Sequence, residues 1–287
     1  EVTAAHEDKM RSVVVVEDMP QDEGEGQDVM RKNIKRARSA FLLWVAAVMA
    51  SSPAAGHGTL VYPMSRVYRV YQSNPENPSF ELARSAIAID GTGPYYSWNE
   101  ISQNIPEAVQ AGLPPGFDYS PWVRDGELAS GGRVGRDDSA RTYLGLDQVD
   151  AQWPATPVTA GETIEVDFYA TAPHDPSAWD VWMTTNDWEP DTALSWARME
   201  YLGRPEVRFF ENHYYFNLEV PAGRSGRQVL WVAWQRDDPV GEVFFSASDL
   251  LVSSAEGSGL FIRADSNSDG TLDISDPVRT LEALFVD

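Results

Sequence analysis

Thr163-Ile164-Glu165-Val166-Asp167-Phe168-Tyr169-Ala170-Thr171 alternates Ile164, Val166 and Phe168 with Glu165, Asp167 and Tyr169. A period of two sends the first set to one face and the second to the other, so the stretch reads as a half-buried β-strand. Working outward, Tyr214 to Val220 repeats the pattern, with Tyr214, Phe216, Leu218 and Val220 on one side. Val229 to Trp234 is apolar at both parities, as a strand covered on both faces would be. Val181 to Thr184 and Asp249 to Ser253 add two more short runs of the same kind. Several short strands separated by turn residues predict an all-β antiparallel sandwich.

Upstream, His57 to Arg66 reads as the entering strand. Tyr68 to Gly132 is a long region broken by Pro and Gly. In it Phe80 to Ile89 predicts a short helix capped by Ser79 or Asn77, and Pro106 to Gly112 a further turn or two. A loop of that length inside a compact domain is usually functional.

The 287 residues, 43% of them hydrophobic, suffice for a packed core. A net charge of -22 excludes nucleic acid and an anionic membrane surface as partners, because both would repel the chain, and it suits a neutral substrate. With no cysteine in the sequence, the core has to stabilise the fold without disulfides.

The first 56 residues read as processing segments. Residues 1–29 are acidic and poor in apolar residues, expected as a disordered or artefactual leader. In 30–56 a basic run (Arg31 to Arg38), an apolar run (Ala40 to Ala50) and the small residues Ala54-Ala55-Gly56 have the layout of an export signal. The apolar run is too short for a membrane span, so the mature protein is expected to be secreted and extracellular, with no membrane association after processing. Cleavage after Gly56 would make His57 the N-terminus, offering its α-amino group and a ring nitrogen to one metal ion. One more histidine would complete a three-nitrogen, T-shaped set of the kind copper favours. Of the four histidines, His6 lies in the leader and His213 in a strand pattern, which leaves His174, in Ala170-Thr171-Ala172-Pro173-His174.

His57 to Arg66 (H-G-T-L-V-Y-P-M-S-R), the stretch ending at His174, and Trp234 to Asp249 (W-Q-R-D-D-P-V-G-E-V-F-F-S-A-S-D) together resemble the bacterial lytic polysaccharide monooxygenases of auxiliary activity family 10, also described as chitin-binding type 4 domains. The resemblance runs from His57 to about Ser253. It implies an immunoglobulin- or fibronectin III-like β-sandwich, expected here over 57–253, with a long loop-helical insertion that builds much of the substrate-facing surface. It also implies that His57 and His174 form a copper-binding brace, with Phe244 and Ala172 on its two axial sides and Glu242 close to the open position. Tyr96 and Arg236 are implied on the substrate surface, and Trp98 in the insertion's own small core.

The activity implied is secreted, copper-dependent oxidative cleavage of glycosidic bonds in a crystalline, insoluble polysaccharide, cellulose favoured over chitin. It draws on an external electron donor and on hydrogen peroxide or oxygen. The competing expectation is a non-catalytic chitin- or cellulose-binding module using the same surface. Members of this branch commonly carry disulfides, and here Val70, Ala129 and Ala247 stand where cysteines are usual.

After a linker at 254–260, residues 261–287 carry a second, EF-hand-like motif. Asp265, Asn267, Asp269, Asp273 and Asp276 supply side-chain oxygens at positions one, three, five, nine and twelve of a calcium loop, with the Thr271 carbonyl at seven and Gly270 at the turn. Val278, Leu281, Leu284 and Phe285 follow on a predicted helix. The segment resembles one half of a type I dockerin, which implies bound calcium and a cohesin as partner, although a dockerin needs two such repeats.

Overall fold

The computed structural model describes residues 56–135, 141–150, 152–254 and 274–285. The expected leader at 1–29, the signal except for Gly56, and calcium-loop residues Asp265, Asn267, Asp269, Thr271 and Asp273 lie outside the described residues.

Among the described residues, ten strands form two sheets. The smaller has the order β1-β4-β8-β7, from β1 (His57–Tyr62), β4 (Thr163–Ala172), β8 (His213–Glu219) and β7 (Arg208–Phe210). The larger has the order β2-β10-β9-β5-β6, from β2 (Ser102–Asn104), β10 (Glu242–Ser253), β9 (Gly226–Arg236), β5 (Ser177–Thr184) and β6 (Met199–Gly203). All these pairings are antiparallel; β3 (Thr156–Thr159) joins β10 in parallel. The alternation that opens the sequence reading is realised on β4, where Ile164, Val166 and Phe168 are buried and pair with Leu218, Phe216 and Tyr214 of β8.

Two cores lie on opposite faces of the larger sheet. Between the sheets, Leu60, Phe168, Trp179, Tyr214, Leu230, Val232, Trp234 and Phe244 pack together. The other parity of the same strands, Val229, Trp231, Ala233, Val243, Phe245 and Ala247, packs under the insertion. The doubly apolar reading of β9 follows from this: both of its faces are covered.

The insertion departs from the expected loop in several places. The entering strand stops at Tyr62, and Ser65 caps a helix, α1 (Arg66–Gln72), by accepting from the Tyr68 amide. Val67, Tyr68, Val70 and Tyr71 within R-V-Y-R-V-Y-Q are β-branched or aromatic, but burying Val67 and Val70 against the outer core outweighs that weak local preference. Helix α2 (Glu81–Asp90) begins at Phe80 with no side-chain cap, so neither Ser79 nor Asn77 plays that part; the Phe80 ring packs edge-on to Trp153 instead, 6.2 Å between centroids. Helices α3 (Gly93–Tyr96) and α4 (Pro106–Gln110) are single turns. Trp98 does not sit in a separate small core, because the insertion packs directly on Trp182, Trp231 and Phe245 of the large sheet.

Helix α5 (Ser275–Phe285) follows the undescribed stretch, with Asp276 buried in its first turn and Val278, Leu281 and Leu284 exposed. Among the described residues no helix is long and apolar enough to cross a membrane.

Candidate metal centre at one end of the sandwich

Strand register gathers the expected site residues at one end of the sandwich. His57, the first residue of β1, pairs with Ala172, the last of β4, and His174 follows two residues later. Ser177, the first of β5, pairs with Arg236, the last of β9, and Glu242 opens β10. The His57 ring meets the buried Phe244 ring edge-on, with centroids 6.1 Å apart. Phe244 also packs on Trp234 at 5.2 Å, so it is at once a core residue and the apolar neighbour of His57.

The local sequence makes this approach possible. A Cβ at Gly58 would lie 2.3 Å from the Phe168 ring and 2.6 Å from the Tyr169 carbonyl, so only glycine lets β1 lie this close to β4. The Gly58 amide donates to the Asn99 carbonyl, and Asn99 donates to Thr171, tying the insertion to both strands beside His57. Gly56 is buried ahead of His57, where a Cβ would meet Phe244, Arg236 and Trp234 at 3.1 to 3.3 Å.

His174 is held through its backbone. Its amide donates to the Tyr214 hydroxyl at 3.0 Å, and that hydroxyl lies 3.1 Å from the His174 carbonyl and 3.3 Å from Asp175. Burial, with Asp175 close by, pushes the Tyr214 hydroxyl well above its ordinary pKa, so it stays protonated and able to donate. The His174 Nε2 is buried and lies 3.3 Å from Asp238 Oδ2, off the direction of a hydrogen bond, so it has no hydrogen-bond partner. A buried ring nitrogen without a partner is costly, and a metal ion would satisfy it.

Arg236 is a correction. It is expected on the substrate surface, but only 2% of it is exposed. Its guanidinium is clamped between Asp238 and Glu242, at 2.7 Å from the latter, and two carboxylates are what makes a buried arginine tolerable. Glu242 is fixed in turn, with Oε2 on Arg236 and Oε1 accepting from Ser102 at 3.0 Å. Tyr96 is half exposed, with its hydroxyl 3.3 Å from Glu76. Trp98 is buried and stacks on Tyr169 at 5.8 Å. His213 lies on the outer face of the small sheet, its ring stacked on Tyr169 and Tyr215 and its Nδ1 2.6 Å from Asp167.

The sequence reading does not single out Asp238 or Tyr214. Asp238 accepts from the amides of Val240 and Gly241, closing a turn in which Gly241 has φ 60 and backs onto Pro106. Burial opposes its charge, but the Gly241 amide, Arg236 and the Val240 amide outweigh burial and hold the carboxyl below the ordinary range. Its signal is D-P-V-G, an Asp that opens a tight turn. Tyr214 carries no such signal, because its ring obeys the strand alternation and only its hydroxyl reaches the site.

Among the described residues no group of three or more His, Asp or Glu side chains is arranged to hold a metal.

A two-sheet antiparallel sandwich with a paired-histidine end and a large insertion defines the class. The sequence pattern of the cellulose-degrading lytic polysaccharide mono-oxygenase family matches residues 57–250, and the chain belongs to that family. It is 27% identical over 224 residues to the chitin-binding protein CbpD of Pseudomonas aeruginosa, covering 76% of this chain and 53% of that protein. It is 29% identical over 236 residues to a lytic cellulose monooxygenase of Streptomyces ambofaciens, covering 77% of this chain and 60% of that one. The chain thus spans little more than half the length of these curated relatives. Among solved structures, the cellulose-active CelS2 in complex with copper is 27% identical with a TM-score of 0.58, covering 69% of this chain and all (100%) of that one. A lytic polysaccharide monooxygenase from Kitasatospora papulosa is 28% identical with a TM-score of 0.55, covering 69% and 98%.

Proposed function

We propose that this protein, exported and cut after Gly56, is a copper-dependent monooxygenase that cleaves an insoluble polysaccharide, with cellulose preferred to chitin. The observation that carries the reading is the buried Nε2 of His174, which has no hydrogen-bond partner and only the Asp238 carboxylate nearby, at the strand end where His57 begins β1 beside Phe244. His57, through its ring and freed α-amino group, and His174, through Nε2, would hold the copper. Copper held there would supply one-electron redox chemistry, with an external donor and hydrogen peroxide or oxygen, for oxidation at carbon 1 or carbon 4 of the glycosidic link.

The chain's own side chains do the remaining work. Phe244 and Ala172 keep the flanks of the histidine pair apolar and small, which limits water there. Glu242, held at both oxygens by Arg236 and Ser102, offers a carboxylate of fixed position that can hold or pass a proton. Arg236 acts by positioning Glu242 rather than by touching substrate. Tyr96, half exposed, offers a ring face to the C–H face of a sugar.

A non-catalytic polysaccharide-binding module is the second reading, favoured by the relative named as a chitin-binding protein. One experiment decides between them. Secreted protein is sequenced from its N-terminus, titrated with Cu(II), and incubated with cellulose or chitin, a reductant and peroxide. A chain starting at His57, one nitrogen-rich Cu(II) site abolished by His174→Ala, and oxidised oligosaccharides are expected. Polysaccharide binding with no such copper site and no oxidised products would install the binding module instead. On sequence pattern alone the proposal extends to calcium at Asp265 to Asp276, with a cohesin as its partner, which a calcium titration of the full chain in the presence and absence of cohesin checks.

A further inference from the structure

Beside His174 the surface opens into a groove of about 350 Å³, large enough for one or two pyranose rings, that the chemistry above does not use. Trp179, Tyr214 and Phe209 form its aromatic walls, and Asp175, Ser177 and Arg204 supply its polar atoms. Phe209 lies on the edge strand β7, where it is 46% exposed although its ring packs 4.8 Å from Tyr214. Its exposed ring face is therefore open to a ligand that enters the groove, whereas Trp179 and Tyr214 behind it are almost fully buried. Arg204 spends its donors internally, on Asp180, the Leu113 carbonyl and the Pro114 carbonyl, so its charge is already neutralised. Asp175 accepts from Ser177 and Tyr214 and keeps lone pairs to spare. The polar lining is therefore an acceptor-rich set beside a neutralised cation, in a chain of net charge -22. An anion gains nothing there, and a purely apolar ligand would bury Asp175 without return. A neutral ring with an apolar face and several hydroxyl donors satisfies both walls.

We propose that this groove is a second saccharide subsite, in which Phe209 stacks on a pyranose ring and Asp175 accepts from its hydroxyls. The inference rests on the polysaccharide reading above and adds to it a site for a soluble or free chain end, one that Tyr96 does not line. The groove also touches the metal centre through one residue: Tyr214 lines it, and the Tyr214 hydroxyl holds the His174 backbone.

The test uses the full chain with metal removed by chelator, so that copper chemistry plays no part. Soluble cello-oligosaccharides are titrated while tryptophan fluorescence and NMR shifts of aromatic side chains are followed. Saturable binding with shifts at Phe209 and Trp179 is expected. Phe209→Ala should weaken it about tenfold or more, Phe209→Tyr should restore it, and Phe210→Ala, outside the groove lining, should leave it unchanged. The inference is overturned if wild type shows no saturable binding, if Phe209→Ala binds as well as wild type, or if the shifts centre on Tyr96. Retention of wild-type protein on insoluble cellulose or chitin, measured in parallel, separates the two levels. Retention without groove binding removes only the groove, whereas loss of both removes the polysaccharide reading as well.

Discussion

The two faces of the larger sheet are built by different means. Toward the smaller sheet, alternating residues of regular strands interdigitate, and the aromatic cluster Phe168, Trp179, Tyr214 and Trp234 needs few polar anchors. Under the insertion the chain is irregular, and buried polar groups hold it down. Arg66 pairs with Asp249 and donates to the Leu146 carbonyl, Asp90 accepts from Tyr95, Thr142 and the Gly145 amide, and Trp231 donates to the Leu128 carbonyl. Val70, Ala129 and Ala247, where related chains are expected to carry cysteines, are all buried in this second core. An irregular segment without disulfides has to satisfy its backbone with side chains, whereas strands satisfy theirs with one another. The proposed metal centre lies where the two constructions meet, with Phe244 from the first and Glu242 fixed by Ser102 from the second.

The largest test of that contrast is Asp249→Ala. Both partners of the Arg66–Asp249 pair are about 5% exposed, so the change leaves a buried guanidinium unpaired between insertion and sheet. A loss of about 3–5 kcal/mol is expected in urea unfolding, with protease sensitivity rising first in the 66–132 region. A smaller loss on the other face, about 1–3 kcal/mol, is expected from Gly58→Ala, because a methyl cannot fit against Phe168 without moving β1. Displacing β1 also shifts His57, so Cu(II) affinity should fall together with stability, whereas Asp249→Ala should leave the copper spectrum of the folded fraction intact.

The finest test is one of pH. Burial pushes the Asp147 carboxyl up to about 7, against the hydrogen bonds it accepts from Ser130 and Ala129. A folded-state pKa above the unfolded one means that the native state holds the proton longer. This group therefore costs nothing below about pH 4, lowers stability progressively as pH rises toward 7, and adds no further change above it. Asp147→Asn keeps an acceptor for both amides and removes the charge, so its unfolding midpoint should vary less than that of wild type between pH 4 and 8. An equal pH slope in both proteins would move the titration elsewhere and weaken the picture of an insertion held by buried polar groups.

What was legible in the sequence is local and periodic. The two-residue alternation at Thr163 to Thr171 and Tyr214 to Val220, and the doubly apolar run at Val229 to Trp234, determine strands and their buried faces, because side-chain parity is a property of the strand itself. The same pattern places His213 on a strand. Tertiary structure alone decided the rest. Helix α1 forms from strand-favouring residues because the outer core takes Val67 and Val70, and β2, β6 and β7 are too short to show a period. Arg236 goes inside because two carboxylates, two and six residues later, turn back on it. Asp238 and Tyr214 reach His174 from a turn and from a neighbouring strand. Such contacts depend on where remote segments meet in space, and no short-range pattern in a linear sequence records that.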